Sequence, residues 1–320
     1  MSDWRPTATR EKLQRRAQML AQARSFFAAR QVMEVDTPVV VNAPVSDVHI
    51  QSAVVDLGDP LRPHFLHTSP EYAMKRLLAA GSGDIFQICH VVRGFERGPL
   101  HNTEFTLIEW YRIGFTLDQL MSEVEALVRE LLGEAGTGFS SERVSYRDAF
   151  RRHLDLDPFT ASEAQIEQLS RDLVWRDPGA LTRDLLLDFL MATRVGPRLG
   201  EDSLTFVHGY PASQAALARL DPEDPRAALR FELYCEGIEL ANGFHELASA
   251  TEQRARFESD LAERRQRRAA EHPLDERLLA ALEAGLPDCC GVALGFDRVV
   301  MLATEAQSID EVLPFPTERA

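Results

Sequence analysis

The stretch RFELYCEGIELANGFHE, residues 230–246, places Glu232, Glu236, Glu239 and Glu246 in a segment that otherwise reads as a β-hairpin. A turn at Cys235-Glu236 would pair Tyr234 with Gly237, Leu233 with Ile238 and Glu232 with Glu239. Like charges directly opposite one another destabilise a sheet. A divalent cation between the two carboxylates would remove the conflict, and Mg²⁺ is commonly held by one or two carboxylates plus substrate phosphates. An edge hairpin with its acidic face in water would also remove it. Glu246 has the opposite parity from Glu239, so a regular strand would send the two to opposite faces. A bulge at Asn242-Gly243 would return Glu246 to the face of Glu239.

A hairpin at this point implies antiparallel pairing, and the flanking sequence extends that pattern. DIFQICHVVR (84–93) and EFTLIEWYRIG (104–114) are two strands joined by a loop, LTFVHGYP (204–211) is another, and CCGVALGFDRVVMLA (289–303) is a strand entering a helix at Asp297. Apolar residues at three- and four-residue steps predict helices over 10–30 and 117–133, and a highly charged helix is expected over 251–271. SPEYAMKRLLAAG (69–81) reads as a helix capped by Ser69, opened by Pro70 and stopped by Gly81. Residues 140–200 read as a helical insertion. The order lacks regular βαβ alternation, which implies an α+β fold built on an antiparallel sheet flanked by helices, with residues 1–320 forming a single domain.

Composition narrows the function. The 320-residue chain carries a net charge of −15, which disfavours sequence-independent binding to nucleic acid. Its only lysines are Lys12 and Lys75. Cys89, Cys235, Cys289 and Cys290 form neither a CxxC pair nor a zinc spacing, so a reducing cytoplasm is expected. No apolar run reaches the roughly 18 residues that span a bilayer.

Several residues stand out. Phe105, Leu107, Glu109, Tyr111 and Ile113 share one strand face, on which Glu109 is the lone acid. A cationic ligand group would pair it; alternatively, this face meets solvent and Ile108 and Trp110 face the core. Arg93 ends a strand, where a guanidinium suits bidentate phosphate contact, although a plain surface arginine fits the same position. Arg298 falls in the first turn of its helix, where a cation opposes the helix dipole. Neither a P-loop nor a dinucleotide fingerprint occurs.

The order of these segments resembles the catalytic core of the class II aminoacyl-tRNA synthetases, lysyl branch. VMEVDTPVV looks like motif 1, with Pro38 at a dimer interface. VVRGFERGPLHNTEFTLIEWY looks like motif 2, GIELANGFHEL like the segment that binds metal and amino acid, and GVALGFDRVVML like motif 3. There is no room before the first helix for an anticodon-binding domain. That shortening, with SPEYAMKRLL, ELANGFHEL and GVALG, makes the chain similar to the elongation factor P–(R)-β-lysine ligase family.

The resemblance implies a homodimer using ATP and Mg²⁺, with elongation factor P as acceptor, β-lysine or lysine as substrate, and no tRNA. It assigns Arg93 to the α-phosphate, Arg298 to the γ-phosphate, and Glu232 and Glu239 to Mg²⁺. Gly94, Phe95, His101, Asn102, Leu240, Asn242 and Gly295 fall at the nucleotide. Ser69, Pro70 and Glu71 meet an amino group or the backbone end of the amino acid, and Glu109, Tyr111 and Glu246 its distal ammonium. Glu236 is left as a turn residue. Two positions depart from the family pattern: Phe95 stands where a glutamate contacts the adenine amino group, and Ala293 where lysyl enzymes have glycine. Rival readings are a truncated tRNA-charging enzyme, an asparagine-synthetase-like amidation and a silent regulatory paralogue.

Overall fold

The computed structural model describes residues 4–48, 50–58, 63–171, 182–267, 269–270 and 272–320. In chain order its main elements are α1 (Arg10–Ala29), β1 (Met33–Glu34), β2 (Val40–Val41), β3 (Val54–Val55), β4 (His64–Leu66), α2 (Glu71–Ala79), β5 (Ile85–Val92), β6 (Glu104–Ile113) and α3 (Leu117–Leu132). Then come β7 (Ser140–Ser145), α4 (Tyr146–Leu154), α5 (Glu163–Ser170), α6 (Arg183–Leu190), β8 (Ser203–Pro211), β9 (Ala227–Cys235) and β10 (Ile238–His245). The chain closes with α7 (Ala250–Gln266), α8 (Glu276–Gly285), β11 (Cys289–Gly295) and α9 (Phe296–Ala303). The architecture is α+β, as the order of segments implied. The chain divides into two compact units, Met1–Thr137 with Leu247–Ala320, and Gly138–Glu246.

In the first unit the strand order is β1-β5-β6-β11, with β6 antiparallel to both neighbours. β6 is covered on both sides. Ile108 and Trp110 are buried on one face, and Leu107, Glu109 and Tyr111 on the other. Both of the faces weighed for this strand are therefore interior. The first is sealed by α1, whose Phe27 ring stacks on Phe86 at 4.3 Å and meets Trp110 edge-on at 5.3 Å. α3 buries the stripe Leu120, Val124, Leu127 and Leu131. Its first turn is fixed by a reciprocal capping box between Thr116 and Gln119.

The first unit also buries charge. Asp297, 1% exposed in the first turn of α9, accepts the Thr106 backbone N–H at 2.7 Å and pairs with the Arg16 guanidinium. Arg16 in turn donates to Thr106 Oγ1 at 2.7 Å. This knot ties α1, β6 and α9 together. Arg264 on α7 is buried and donates to the carbonyls of Ser46, Asp47 and Ile50, which anchors an otherwise irregular segment.

In the second unit β9 is antiparallel to β8 and β10, and β7 runs parallel to β8. α4, α5 and α6 form a separate core around Tyr146, Phe150, Ile166, Leu186 and Leu190. The expected helical insertion at 140–200 is therefore helical only after a strand: SSERVS has one buried apolar residue, Val144, and forms β7 by pairing with β8. Residues 172–181 of that span lie outside the described residues, as do 268 and 271 of the helix expected at 251–271.

The hairpin differs from its expected register. The turn is Glu236-Gly237, both with positive φ (51° and 70°), so Ile238 pairs with Cys235 and Glu239 with Tyr234. That two-residue loop matches the right-handed twist of its strands. Gly237 is required on two counts: its φ, and a Cβ there would lie 2.9 Å from the Pro197 carbonyl oxygen. The register then shifts by one between Glu239 and Ala241, so Glu232 lies opposite Asn242. The bulge is at Leu240, two residues before the Asn242-Gly243 position expected.

Substituting Asp297→Ala strands the Arg16 guanidinium and the Thr106 N–H, a loss of about 3–5 kcal/mol for a broken buried pair. Thermal unfolding should show a large drop in midpoint. Glu34→Ala, which removes a solvent-exposed partner of Arg24, should leave the midpoint nearly unchanged.

Candidate active site

The site-bearing face of the first unit follows from strand register. Opposed residues in an antiparallel ladder project to the same side. Ala293, Glu109 and Gln87 therefore form one row across β11, β6 and β5; Gly291, Tyr111 and Ile85 form the next, and Gly295, Leu107 and Cys89 the row beyond. β11 contributes only small residues here, so the floor beside Glu109 is shallow on that side. Ala293 stands directly across from Glu109.

Glu109 is 2% exposed and accepts two hydroxyl hydrogen bonds, from Ser69 Oγ at 2.8 Å and Tyr111 Oη at 2.8 Å. Ser69 is itself positioned by α2, whose Glu71 N–H donates to Ser69 Oγ at 3.0 Å. Ser69 thus holds the first N–H of the helix while aiming its proton at Glu109, and the N-cap falls on Pro70, one residue later than expected. Pro70 precedes the helix at φ −77° and ψ 0°. The Glu71 carboxylate accepts from Lys75 Nζ at 2.7 Å, and Lys75 is 1% exposed. One of the chain's two lysines thus orients a candidate substrate-binding acid, a role its place in the sequence did not disclose.

Two cations lie outside this strand, Arg93 just after β5 and Arg298 in the first turn of α9. Arg93 sits over the Phe105 ring at 5.1 Å and donates to the Thr68 carbonyl at 3.2 Å. Arg298 reaches back from α9 to the Leu100 carbonyl at 3.2 Å and donates to His101 Nε2 at 2.8 Å. Partial burial, then the Arg298 and Arg93 charges, lower the His101 pKa to about 4. The imidazole is therefore neutral and accepts from the guanidinium. From Phe105 to Glu109 the strand advances roughly 13 Å at about 3.3 Å per residue, a span that suits a long cationic amino acid joined to one phosphate.

The motif 2 loop is held by its surroundings. Gly94 N–H donates to the Gln51 carbonyl at 2.7 Å, while Phe95 adopts φ 63° and is 93% exposed. Asn102 is buried, donates to the Glu104 carbonyl at 2.6 Å and accepts from the Thr317 N–H and hydroxyl, each at 3.1 Å. These bonds occupy the amide in tethering the C-terminal segment. Arg97 makes a second tether to Asp310 and Glu318, each through a short ion pair. Gly295 is the N-cap of α9.

In the second unit the bulge at Leu240 puts Glu239 and Asn242 on the face of Tyr234 and Glu232. Glu232 is buried. It accepts from Tyr210 Oη at 2.5 Å and Tyr234 Oη at 2.6 Å on one oxygen, and from Arg230 at 2.6 Å on the other. Burial, reinforced by the Glu232 charge, raises both tyrosine pKa values, so the phenols remain donors. Burial alone would lower the Arg230 pKa; Glu232, with Glu239 contributing less, more than offsets it and keeps the guanidinium charged. A carboxylate has about four lone-pair positions, so three donors leave one on Glu232. With Glu239 as its diagonal neighbour, the pair fits a hard divalent cation that takes most of its ligands from water or phosphate. Among the described residues no cluster of three or more His, Cys, Asp or Glu side chains is arranged for a metal. Glu246 is buried at the end of this strand.

The chain matches the family described as tRNA synthetases class II (D, K and N) over residues 1–319. It is 47% identical over 323 residues to a protein of Klebsiella pneumoniae named elongation factor P–(R)-β-lysine ligase, covering 99% of this chain and 98% of the relative. A Vibrio cholerae protein of the same name is 47% identical over 325 residues (100% and 99% covered), and one of Salmonella paratyphi B is 45% identical over 323 residues (99% and 98%).

The His101 environment predicts a pH dependence with a definite sign. Its pKa falls from 6.5 in the unfolded chain to about 4 in the fold. Between those values only the unfolded chain takes up the proton. The stability contribution is therefore complete above pH 6.5 and lost as pH falls toward 4. NMR titration should find the His101 ring neutral at pH 5.5, and His101→Gln should flatten the stability slope in this window.

Proposed function

The chain belongs to the class II tRNA synthetases of the D, K and N group, and from that premise we propose that it is an ATP-dependent, AMP-forming ligase that activates (R)-β-lysine and transfers it to a lysine side chain of elongation factor P. The observation that carries this reading is Glu109: a carboxylate 2% exposed, held by two hydroxyls, on the strand whose Phe105 ring lies under Arg93. A buried acid so placed selects a substrate with a cation at its far end, because an uncharged analogue would leave it unpaired. The names of the relatives supply the substrate and the acceptor.

In the first half-reaction the substrate carboxylate attacks the α-phosphorus of ATP in line, the bond to the bridging oxygen breaks, and pyrophosphate leaves. Arg93 holds the α-phosphate and Arg298 the γ-phosphate. Ser69 and Glu71, the latter fixed by Lys75, meet the backbone end of the amino acid, while Glu109 and Tyr111 hold the distal ammonium. In the second half-reaction the acceptor amine attacks the carbonyl of the acyl adenylate, AMP departs, and an amide forms. No side-chain nucleophile is required, so catalysis rests on position and charge. We assign Glu232 and Glu239 to Mg²⁺, which when bound supplies charge neutralisation to the phosphates. Glu246 is assigned to substrate, and Gly94, Phe95, His101, Leu240, Asn242 and Gly295 to the nucleotide, on the family resemblance. Asn102 belongs with them by the same resemblance and has the C-terminal tether as its partner in the fold.

Three further assignments support the same reading. Met33, Val39, Val40, Val54 and Leu57 are exposed and apolar around the motif 1 segment, and we propose that a second copy of the chain covers them. The net charge of −15 argues against tRNA as acceptor. Among the described residues no helix is long and apolar enough to cross a membrane, and all four cysteines are free thiols, which supports a cytoplasmic location.

Amino-acid-dependent pyrophosphate–ATP exchange, measured without RNA, should be strongest with (R)-β-lysine, weaker with α-lysine and absent with aspartate. Exchange with aspartate would overturn the cation pocket, and no exchange with any of the three would point to a non-catalytic paralogue. Arg298→Ala should reduce exchange about 10²–10³-fold, the scale of losing one preorganised charge contact. Undiminished exchange would refute the phosphate assignment. Sedimentation should give a dimer, and Val40→Asp should shift it toward monomer.

A further inference from the structure

The row that carries Glu109 ends in a residue with no assigned role. Gln87, at the centre of β5, lies directly opposite Glu109 and projects to the same face. It is 1% exposed, and among the described residues neither its amide nitrogen nor its carbonyl oxygen has a hydrogen-bond partner. The Cys89 thiol, two residues along the same face, is near enough to interact with it. A thiol is a weak donor, and burial pushes the Cys89 pKa up to about 12, so it stays protonated. The flanking residues on this face of β5, Ile85 and Val91, are buried and apolar. Packing alone would be better served by leucine or methionine, since a buried amide without partners is unfavourable.

We infer that Gln87 is a specificity-determining residue whose side-chain carbonyl accepts a hydrogen bond from the distal ammonium of the substrate. This assignment rests on the proposed placement of that ammonium at Glu109. An alkylammonium has three N–H donors and needs acceptors in different directions. Glu109 accepts on one side of the strand row, with Tyr111 and Ser69 already fixing its two oxygens. Gln87 offers a neutral acceptor from the adjacent strand without adding a second buried negative charge. The two residues then divide the work: Glu109 supplies charge, and Gln87 supplies direction.

The test compares wild type, Gln87→Leu, Gln87→Met and Glu109→Gln in pyrophosphate–ATP exchange. Each is assayed with (R)-β-lysine and with (R)-3-aminohexanoate, which has the same chain without the terminal amine. Thermal melting is recorded with and without (R)-β-lysine. Both Gln87 variants should melt at or above the wild-type midpoint when free and lose most of the shift induced by (R)-β-lysine. KM for (R)-β-lysine should rise about tenfold or more with little change in kcat, and the preference for the diamine should shrink by a similar factor. A loss of kcat/KM that is equal for both substrates, or no change, would overturn the assignment. If Glu109→Gln weakens the diamine preference while both Gln87 variants keep it, only the Gln87 role fails. If Glu109→Gln also keeps it, the ammonium pocket fails and the Gln87 role with it.

Discussion

A carboxylate buried in the middle of a strand has to be answered by its surroundings, and the organisation of the first unit follows from how Glu109 is answered. β6 is covered on both faces, so Glu109 cannot turn to water. Ser69 and Tyr111 each give it a hydroxyl proton. Ser69 can do so because it also accepts the first free N–H of α2, which fixes that helix against the strand. The same helix returns one turn later with Lys75 to neutralise Glu71. Two neutral donors stabilise Glu109 without cancelling its charge.

The opposite end of β6 uses the reverse strategy. Arg93 and Arg298 stand close enough to depress one histidine, and the neutral imidazole accepts from the Arg298 guanidinium. The deeper acid of α9, Asp297, is instead spent on Arg16 and the β6 backbone, where it holds the helix in place.

Much of this was legible in the sequence. Alternation along 104–114 separated Glu109 and Tyr111 from Ile108 and Trp110, and the periodicity of 117–133 found the buried stripe of α3, because both signals depend only on neighbouring residues. The order of four short segments identified the family before any pairing was known. The hairpin register was not legible: a one-residue bulge depends on how the turn seats against Gly200, Leu199 and Pro197, contacts more than thirty positions away in the chain. β7 was missed because SSERVS has little apolar pattern and becomes a strand only beside β8. Gln87 and Lys75 looked ordinary because burial, not identity, makes them informative. The tie from Asn102 to Thr317 was not legible either, because it joins positions 215 residues apart.

The bulge at Leu240 also makes the hairpin a counting device. Side-chain direction along a strand has only two phases, and the extra residue converts one into the other between Glu239 and Asn242. Length changes on β10 therefore fall into two classes by parity. Removing one residue between Glu239 and Glu246 would invert every downstream side chain while leaving composition almost untouched. Removing a pair would preserve the phase and shorten only the reach. Homologous chains that differ in this segment should accordingly differ by even steps, and an odd step would mark a lineage in which the acids of this strand no longer serve one face.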